Sequence, residues 1–367
     1  MEPRCKYYGK CGGCTLQHID YSIQLENKKN NLIKTINFEN IEVYSGKEYN
    51  YRNRMDLLFT EKGIGFRKKG TWKETLDVDE CVISDNRINE LIKELREFFK
   101  ENDAFNPVKH TGTFRYAVIR TPIYDSSISF VLNSDSMKLE EASERIREFS
   151  EKTTANNIVV TYVESNTDVS LSEEYYVIKG TEYLKEKYLG KEFTYPIQGF
   201  FQNNTEVAEK MQEYVNKILK NYNAKESHLI DLYGGVGTFG IINSELFKKV
   251  TIIESVKPSI DAAKINIEKN EVKNTEAIIL DAKHLQKIKT QGKLYLITDP
   301  PRSGMHPKTI QQINVIRPEV IIYISCNIEQ LGKDIEKFTG YKIKNAAMFD
   351  MFPQTNHIEA IVELVKG

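Results

Sequence analysis

The chain has 367 residues, with 51 Lys and Arg against 52 Asp and Glu, so its formal net charge is −1. This balance excludes a uniformly basic nucleic-acid-binding protein, and 40% apolar with 28% charged residues excludes a disordered chain. No run without charge is longer than residues 232–244, which is too short for a membrane span of roughly 20 residues. The charged first ten residues exclude a secretory signal, so we expect a cytoplasmic protein without a membrane partner.

Residues 1–195 are predicted to form a small α+β domain with an antiparallel sheet. A helix is predicted near residues 21–36, with Lys28 and Lys29 on its solvent surface. One further helix is predicted at 88–99, where apolar side chains recur at helical spacing on one face. Runs of β-branched and aromatic residues between turns predict strands. These strands are residues 55–60, 114–121, 127–132, 157–164 and 175–179.

Residues 196–367 change to an alternation of strand and helix, so we place the second domain there. Its apolar runs are short and continuous, as in strands that are buried on both faces, and helices are predicted between them, for example at 258–270 and 329–338. This rhythm predicts an α/β fold with a doubly wound parallel sheet, whose ligands bind at the carboxyl ends of the strands. The predicted strands are residues 229–232, 250–254, 277–280, 294–298 and 320–325.

A glycine-rich loop follows the first of these strands. Gly235, Gly237 and Gly240 satisfy the pattern G-x-G-x-x-G, and Glu254 ends the next strand. Such a loop lets the backbone approach a ligand, and the carboxylate can accept hydrogen bonds from ribose hydroxyls. The pattern fits both an NAD-dependent oxidoreductase and a methyltransferase that uses S-adenosylmethionine. Asp231 favours the methyltransferase, because its carboxylate would repel a diphosphate but suits an ammonium and a sulfonium.

A thiol follows the fifth strand of the second half. Cys326 lies in Ser-Cys-Asn, and Asp299-Pro-Pro-Arg302 ends the fourth strand. A cysteine at this edge, near a methyl donor, indicates covalent catalysis on an unreactive carbon. Considered alone, Cys326 is more typical of a small buried side chain than of a nucleophile. The glycine loop and the Asp-Pro-Pro-Arg segment favour the nucleophile.

Together these stretches resemble the RNA uracil-5-methyltransferase family, whose members modify tRNA and 23S rRNA. RNA 5-methylcytosine enzymes usually carry Pro-Cys where this chain has Pro-Pro, which favours uracil. Two positions depart from the family pattern: relatives often have Cys at Gly234 and Pro at Ile328. The matching stretches are residues 199–203 (GFFQN), 231–238 (DLYGGVGT), 299–302 (DPPR), 324–327 (ISCN) and 350–359 (DMFPQTNHIE).

The resemblance implies a mechanism and a Rossmann-like methyltransferase domain. It implies that the Cys326 thiolate adds to carbon 6 of uracil, that carbon 5 then takes the methyl group of S-adenosylmethionine, and that Glu359 removes the carbon-5 proton. A role for Arg302 in positioning the base or a phosphate is a weaker implication. The residues implied to contact the cofactor are Gln202, Tyr233, Thr238, Glu254 and Asp299.

The other four cysteines indicate a metal site. Cys5, Cys11 and Cys14 are spaced C-x5-C-x2-C, and Cys81 is remote in sequence. Four thiolates suit either zinc or an iron–sulfur cube, and the spacing alone slightly favours zinc. Cluster-bearing members of the resembled family begin in a similar way, so the resemblance implies a 4Fe-4S cluster on these four residues.

The expected partner is RNA. Residues 62–73 contain five Lys and Arg and no acid, with Phe66 and Trp72 between them. This composition suits phosphate contacts and base stacking, or else a solvated edge strand. The target uridine must be flipped out of its stack, and Phe200 or Phe201 is expected to line the pocket with Gln202.

We expect a monomer that modifies the T-loop uridine at position 54 of tRNA, with 23S rRNA as the alternative target. Because Cys5 lies so close to the start, we expect no TRAM domain, the small RNA-gripping barrel with which some relatives begin. Two functions of other kinds remain open from the residues. One is the NAD-dependent oxidoreductase, and the other is an iron–sulfur RNA-binding module with an inactive catalytic half.

Overall fold

The computed structural model describes residues 1–172, 174–290 and 292–367, in which two large sheets are the main framework. The elements of the N-terminal half, in chain order, are α1 (Tyr21–Ile36), β1 (Ile41–Tyr44), β2 (Arg54–Thr60), β3 (Gly63–Arg67), β4 (Thr75–Asp77), α2 (Asn86–Phe98), β5 (Phe114–Arg120), β6 (Ser127–Asn133), α3 (Leu139–Lys152), β7 (Asn157–Val163), β8 (Tyr175–Lys179), β9 (Tyr183–Tyr188) and β10 (Lys191–Pro196).

The first sheet has the strand order β4-β3-β2-β5-β6-β7-β8 among the described residues. It is antiparallel, as predicted, except that β6 and β7 pair in parallel. A parallel pair needs a crossover connection, and α3, a helix missing from the sequence prediction, supplies it. Only a narrow stripe of α3 is apolar, with Ile146 and Phe149 packed against Phe130, so its charged surface conceals the pattern.

The C-terminal half alternates strands and helices. Its elements are α4 (Thr205–Lys220), β11 (His228–Leu232), α5 (Thr238–Asn243), β12 (Lys249–Glu254), α6 (Lys257–Lys269), β13 (Thr275–Ile279), β14 (Leu294–Thr298), α7 (Pro307–Ile316), β15 (Val320–Ser325), α8 (Ile328–Ile335), β16 (Tyr341–Phe349) and β17 (Glu359–Lys366), with 3-10 helices at Ser244–Leu246 and Ala282–Lys287.

The second sheet has the order β1-β16-β17-β15-β14-β11-β12-β13 among the described residues. The five predicted strands are parallel to one another, and the order reverses at β11, so a ligand crevice is expected at their carboxyl ends. The prediction of a parallel sheet is wrong for β17, which is antiparallel to β15 and β16. Its first residues therefore lie at the crevice edge, where Ala360 pairs with Ser325.

Two elements of the N-terminal half belong to this second sheet. Strand β1 extends it by pairing in parallel with β16, and α1 packs against α8 with Leu32 fully buried. The chain therefore crosses between the two sheets before residue 50. No helix in the described parts of the chain combines the length and the apolar content that crossing a membrane would need.

A buried ion pair fixes α1 to the loop between β16 and β17. Lys28 Nζ lies 2.6 Å from Asp350 Oδ1, and the two side chains are 4% and 0% exposed. Tyr21 Oη donates to the other carboxylate oxygen at 2.7 Å, and Lys28 also donates to the carbonyl of Phe352 at 3.2 Å. Burial lowers the pKa of Lys28, and Asp350 opposes that shift. The predicted placement of Lys28 on the solvent surface is therefore wrong.

We expect Asp350→Asn to lower the free energy of unfolding by about 3–5 kcal/mol, because it leaves the Lys28 ammonium buried without a counter-charge. Urea denaturation followed by circular dichroism measures the loss. Lys34→Met, on the exposed side of the same helix, is the control and should change stability by about 0.5 kcal/mol or less. The double variant Lys28→Met/Asp350→Leu should recover most of the loss. A loss below about 1 kcal/mol in Asp350→Asn would contradict the assignment.

Candidate active site

The glycine loop turns directly from β11 into α5. Tyr233, Gly235 and Gly237 have φ values of 61°, 54° and 87°, so the turn uses a left-handed conformation three times. For Tyr233 this conformation is strained, which is common at functional sites. Asp231 is 1% exposed and accepts a hydrogen bond from Gly240 N at 2.8 Å, so one carboxylate oxygen holds the loop against α5.

Glu254, at the end of β12, closes the other side of this loop. One of its carboxylate oxygens accepts from Gly235 N at 3.3 Å, and the other accepts from Ser255 N at 2.6 Å and Val256 N at 2.9 Å. The side chain therefore lies beside the glycine loop, where the ribose-binding prediction requires it.

A cleft lies over the loop and brings together four of the five predicted cofactor residues, Gln202, Tyr233, Thr238 and Asp299. It also contains Gln212, which the sequence analysis missed. Gln212 Nε2 donates to Thr238 Oγ1 at 3.2 Å, whereas its buried Oε1 has no partner among the described residues. The available signal was a polar side chain on the buried face of α4, between Met211 and Val215.

Acidic side chains form a row along the carboxyl edge of the second sheet. Burial raises the pKa of Asp231 to about 7, and Glu254 adds to the shift. Desolvation and Asp231 raise the pKa of Asp299 to about 7, and burial and Asp299 raise that of Glu359 well above its usual value. Each acid therefore makes its neighbour harder to ionise, and a cation placed here would relieve the repulsion.

The predicted nucleophile lies at the end of this row. Burial, Glu359 and Asp299 raise the pKa of Cys326 to about 11, and Arg302 partly offsets them. Ser325 pairs with Ala360 in the antiparallel ladder of β15 and β17, so their chain neighbours Cys326 and Glu359 lie at the same end of the two strands. The structure thus brings Cys326 and Glu359 together at the carboxyl edge, although 33 positions separate them in the chain.

The loop that carries Cys326 is held by its neighbour Asn327. Asn327 Oδ1 accepts from Gln330 N at 3.3 Å as the N-cap of α8, and its Nδ2 donates to Arg302 O at 3.0 Å. Ile328 is then the first residue of α8. That is the helix position that proline tolerates best, so proline in relatives and isoleucine here suit the same turn.

Residues 350–358 lead into Glu359 and are clamped from the N-terminal half. Gln24 Nε2 donates to Gln354 Oε1 at 3.0 Å, and Tyr51 Oη donates to Pro353 O at 3.0 Å. Gln354 has a φ of 68°, so its backbone conformation is strained. The position of Glu359, which is 4% exposed, therefore depends on residues more than 300 positions away.

The two phenylalanines before Gln202 have different environments. Phe201 is buried and stacks on Tyr195, with ring centres 4.2 Å apart, so it supports the cleft wall from within. Phe200 is 67% exposed, and it also borders the cleft. Phe200 is therefore the one with a free surface for a flipped base.

The four remaining cysteines, Cys5, Cys11, Cys14 and Cys81, line one cavity of about 530 Å³. Burial raises the pKa of Cys14 to about 12, and repulsion from the other three thiolates adds to the shift. Among the described residues, no three His, Cys, Asp or Glu side chains form a group that could hold a metal ion. The four predicted cysteine ligands thus line one cavity, but they do not converge on a position that a single metal ion could occupy.

The basic stretch 62–73 is partly neutralised. Arg67 lies 2.6 Å from Asp168, and Lys68 lies 2.7 Å from Glu74. Lys62 and Arg67 border two different cavities, so the five cations do not share one surface. Trp72 remains 56% exposed.

Comparison with known proteins places the chain in a family. Residues 20–367 match the family described as tRNA (Uracil-5-)-methyltransferase. The chain is 33% identical to the tRNA (uracil(54)-C(5))-methyltransferase of Pyrococcus abyssi, over 99% of this chain and 86% of that protein. It is 32% identical to an uncharacterised RNA methyltransferase of Caldanaerobacter subterraneus, over 100% of this chain and 85% of that protein.

A solved structure agrees with these sequence relationships. The crystal structure of the Pyrococcus abyssi tRNA (uracil-54, C5)-methyltransferase in complex with S-adenosyl-L-homocysteine has a TM-score of 0.81 and 31% identity to this chain, and covers 97% of this chain and 86% of that one. The prediction of a methyltransferase α/β fold is confirmed. The chain belongs to the tRNA (uracil-5-)-methyltransferase family.

Proposed function

We propose that this protein transfers the methyl group of S-adenosylmethionine to carbon 5 of uridine 54 in the T-loop of tRNA. The observation that carries the proposal is the pairing of Ser325 with Ala360, which brings Cys326 and Glu359 to one end of β15 and β17, beside the cleft that contains Asp299. Near-complete coverage by relatives named for uridine 54 supports tRNA over 23S rRNA as the substrate.

The charge of the cleft supports S-adenosylmethionine over a dinucleotide. Asp231 and Asp299 would repel a diphosphate but attract an ammonium and a sulfonium. The buried Oε1 of Gln212 offers an acceptor to the same ligand. We assign its binding to the five predicted residues, Gln202, Tyr233, Thr238, Glu254 and Asp299.

The reaction needs a nucleophile because carbon 5 of uracil is too electron-poor to attack a methyl group. Cys326 loses its thiol proton to solvent, the thiolate Sγ bonds to carbon 6, and the electron pair of the 5,6 double bond moves toward oxygen 4 as an enolate. Carbon 5 then takes the methyl group. Glu359 removes the proton from carbon 5, the double bond re-forms, and the Cys326 thiolate leaves.

Glu359→Gln should retain attack and methyl transfer but lose the step that frees the enzyme. We expect a covalent protein–tRNA adduct on denaturing gels and a turnover at least about 100-fold lower. Cys326→Ala should form no adduct and no product. Normal turnover by either variant would remove that residue from the mechanism.

Glu363→Gln is the matched control, because this buried glutamate lies on the same strand but is bonded to Tyr222 and Asn345. It should form no lasting adduct. If it accumulated as much adduct as Glu359→Gln, the effect would come from the strand and not from the base.

The affinity for S-adenosylmethionine should depend on pH. Asp231 and Asp299 have pKa values of about 7 without a bound cation, so below pH 7 each must lose a proton when the cation binds. We expect the Kd to rise about 10- to 100-fold from pH 8 to pH 6, as measured by calorimetry. Asp299→Asn should flatten the profile, and S-adenosylhomocysteine, which lacks the sulfonium, should show a weaker dependence. A flat profile for S-adenosylmethionine would contradict the charge argument.

We also propose a 4Fe-4S cluster on Cys5, Cys11, Cys14 and Cys81. A single zinc ion needs its four sulfurs around one point, whereas a cube accepts thiolates at four separate corners. Four thiols spread around one cavity fit the cube better.

Anaerobically purified protein should be brown and contain iron and sulfide in equal amounts. Cys81→Ala should lose the colour and the iron, and Cys326→Ala, the fifth cysteine, should retain both. A colourless protein that holds one zinc ion would contradict the cluster. The assignment of the four cysteines as metal ligands would still hold.

We further propose that residues 1–195 bind the cluster and the RNA and that residues 196–367 transfer the methyl group. The pairing of β1 with β16 and the packing of α1 on α8 then tie the two parts together.

A further inference from the structure

A second cavity, of about 230 Å³, lies on the face of the first sheet opposite α2 and α3. Leu58 and Tyr116 face it, whereas their strand neighbours Leu57 and Ala117 pack in the core beneath the helices. It is separate from the cofactor cleft and from the cavity of the four cysteines. The side chains that matter here are Arg67, Trp72, Phe105, Arg115 and Tyr116.

Arg115 forms the floor of this cavity. Its side chain is 3% exposed, and its guanidinium lies 4.1 Å from the centre of the Phe105 ring. It donates to the carbonyls of Glu164 and Thr167, which hold it in place, but its Nε has no partner among the described residues. Burying a hydrogen-bond donor without an acceptor costs free energy. The unpaired Nε therefore points to a ligand.

Trp72 forms the rim. It is the only tryptophan in the chain, and it is 56% exposed. Arg67 donates to its backbone carbonyl and also contacts Asp168 and Tyr116 Oη, and Lys73 Nζ lies 5.3 Å from the ring centre. An exposed indole with the Lys73 ammonium beside its ring suits a stacking surface for an anionic ligand.

We propose that this cavity stacks one nucleotide of the substrate RNA other than the target uridine. Aromatic rings and guanidinium planes are the surfaces on which proteins stack unpaired bases, and Lys69 and Lys73 lie nearby in the chain for the phosphates. The cavity is smaller than a typical drug-sized site of about 300–1,000 Å³, as a single base requires. That the ligand is RNA rests on the proposed function.

The cavity also connects with the catalytic half. Arg67 borders it and also borders the cysteine cavity, whose wall includes Arg52, Arg54 and Asn203. Asn203 adjoins the predicted cofactor residue Gln202 in the chain, and Asn53 Nδ2 donates to the carbonyl of Gln202 at 3.2 Å. Arg67 therefore lies between the stacking cavity and residues that adjoin the catalytic half.

Intrinsic fluorescence tests the proposal directly, because all tryptophan emission of this protein comes from Trp72. Titration with an unmodified tRNA transcript should change the emission and saturate near the KM for tRNA. S-adenosylhomocysteine alone should leave the emission unchanged. An equal response to polyglutamate would overturn the proposal in favour of an acidic peptide.

Kinetics provide the second test. Trp72→Ala should raise the KM for tRNA about tenfold and leave kcat nearly unchanged, and Trp72→Phe, which keeps a ring, should restore the KM. The stacking cavity is contradicted if Trp72→Ala has an unchanged KM and the tRNA titration leaves the fluorescence unchanged. If uridine 54 is still methylated normally, the proposed function remains intact. If uridine 54 is not methylated at all, the proposed function fails, and the fluorescence response to tRNA still decides the stacking cavity.

Discussion

The burial of several acids at one edge of a sheet is the constraint on which the candidate site depends. Parallel strands deliver their carboxyl ends to a common edge, so Asp231 and Asp299 meet there although 68 positions separate them. The antiparallel β17 adds Glu359 to the same edge by its first residue. Burial raises the pKa of each of these acids and a neighbouring acid adds to each shift, so a cationic ligand would favour their ionised forms. The same buried acids would thus attract the cationic methyl donor and supply the proposed base.

The N-terminal segment contributes to this edge from a distance. Thr15 and Leu16 follow Cys14, and both of their backbone amides donate to the carbonyl of Gln354, at 3.0 and 3.1 Å. The buried pair of Lys28 and Asp350 fastens the same loop. A metal site on Cys14 would therefore help to hold the segment that leads into Glu359, the proposed base. The proposed cluster in one half of the chain would in this way support the proposed chemistry in the other.

Local patterns predicted the strands and helices that depend on nearby residues. Helix α1 has the predicted bounds, and the glycine loop and Cys326 lie where their motifs place them. Features set by distant pairing were not predictable: the direction of β17, the addition of β1 to the second sheet and the burial of Lys28. A lysine on an amphipathic helix has no local sign that a carboxylate 322 positions away will bury it. The sequence analysis missed Gln212 for a related reason, because its hydrogen-bond partner Thr238 lies in another helix.

In the proposed reaction the charge of the site changes at the step where a base is needed. While the sulfonium is intact, its positive charge favours the ionised forms of Asp299, Glu359 and Cys326. Transfer of the methyl group leaves a neutral thioether, so the row of acids loses that charge and the proton affinity of Glu359 rises. Carbon 5 carries its surplus proton at this same moment. Burial and the repulsion from Asp299, which together raise the pKa of Glu359 in the free protein, thus strengthen the base only after methyl transfer. The same repulsion among the acids favours release of the spent cofactor, which neutralises them less.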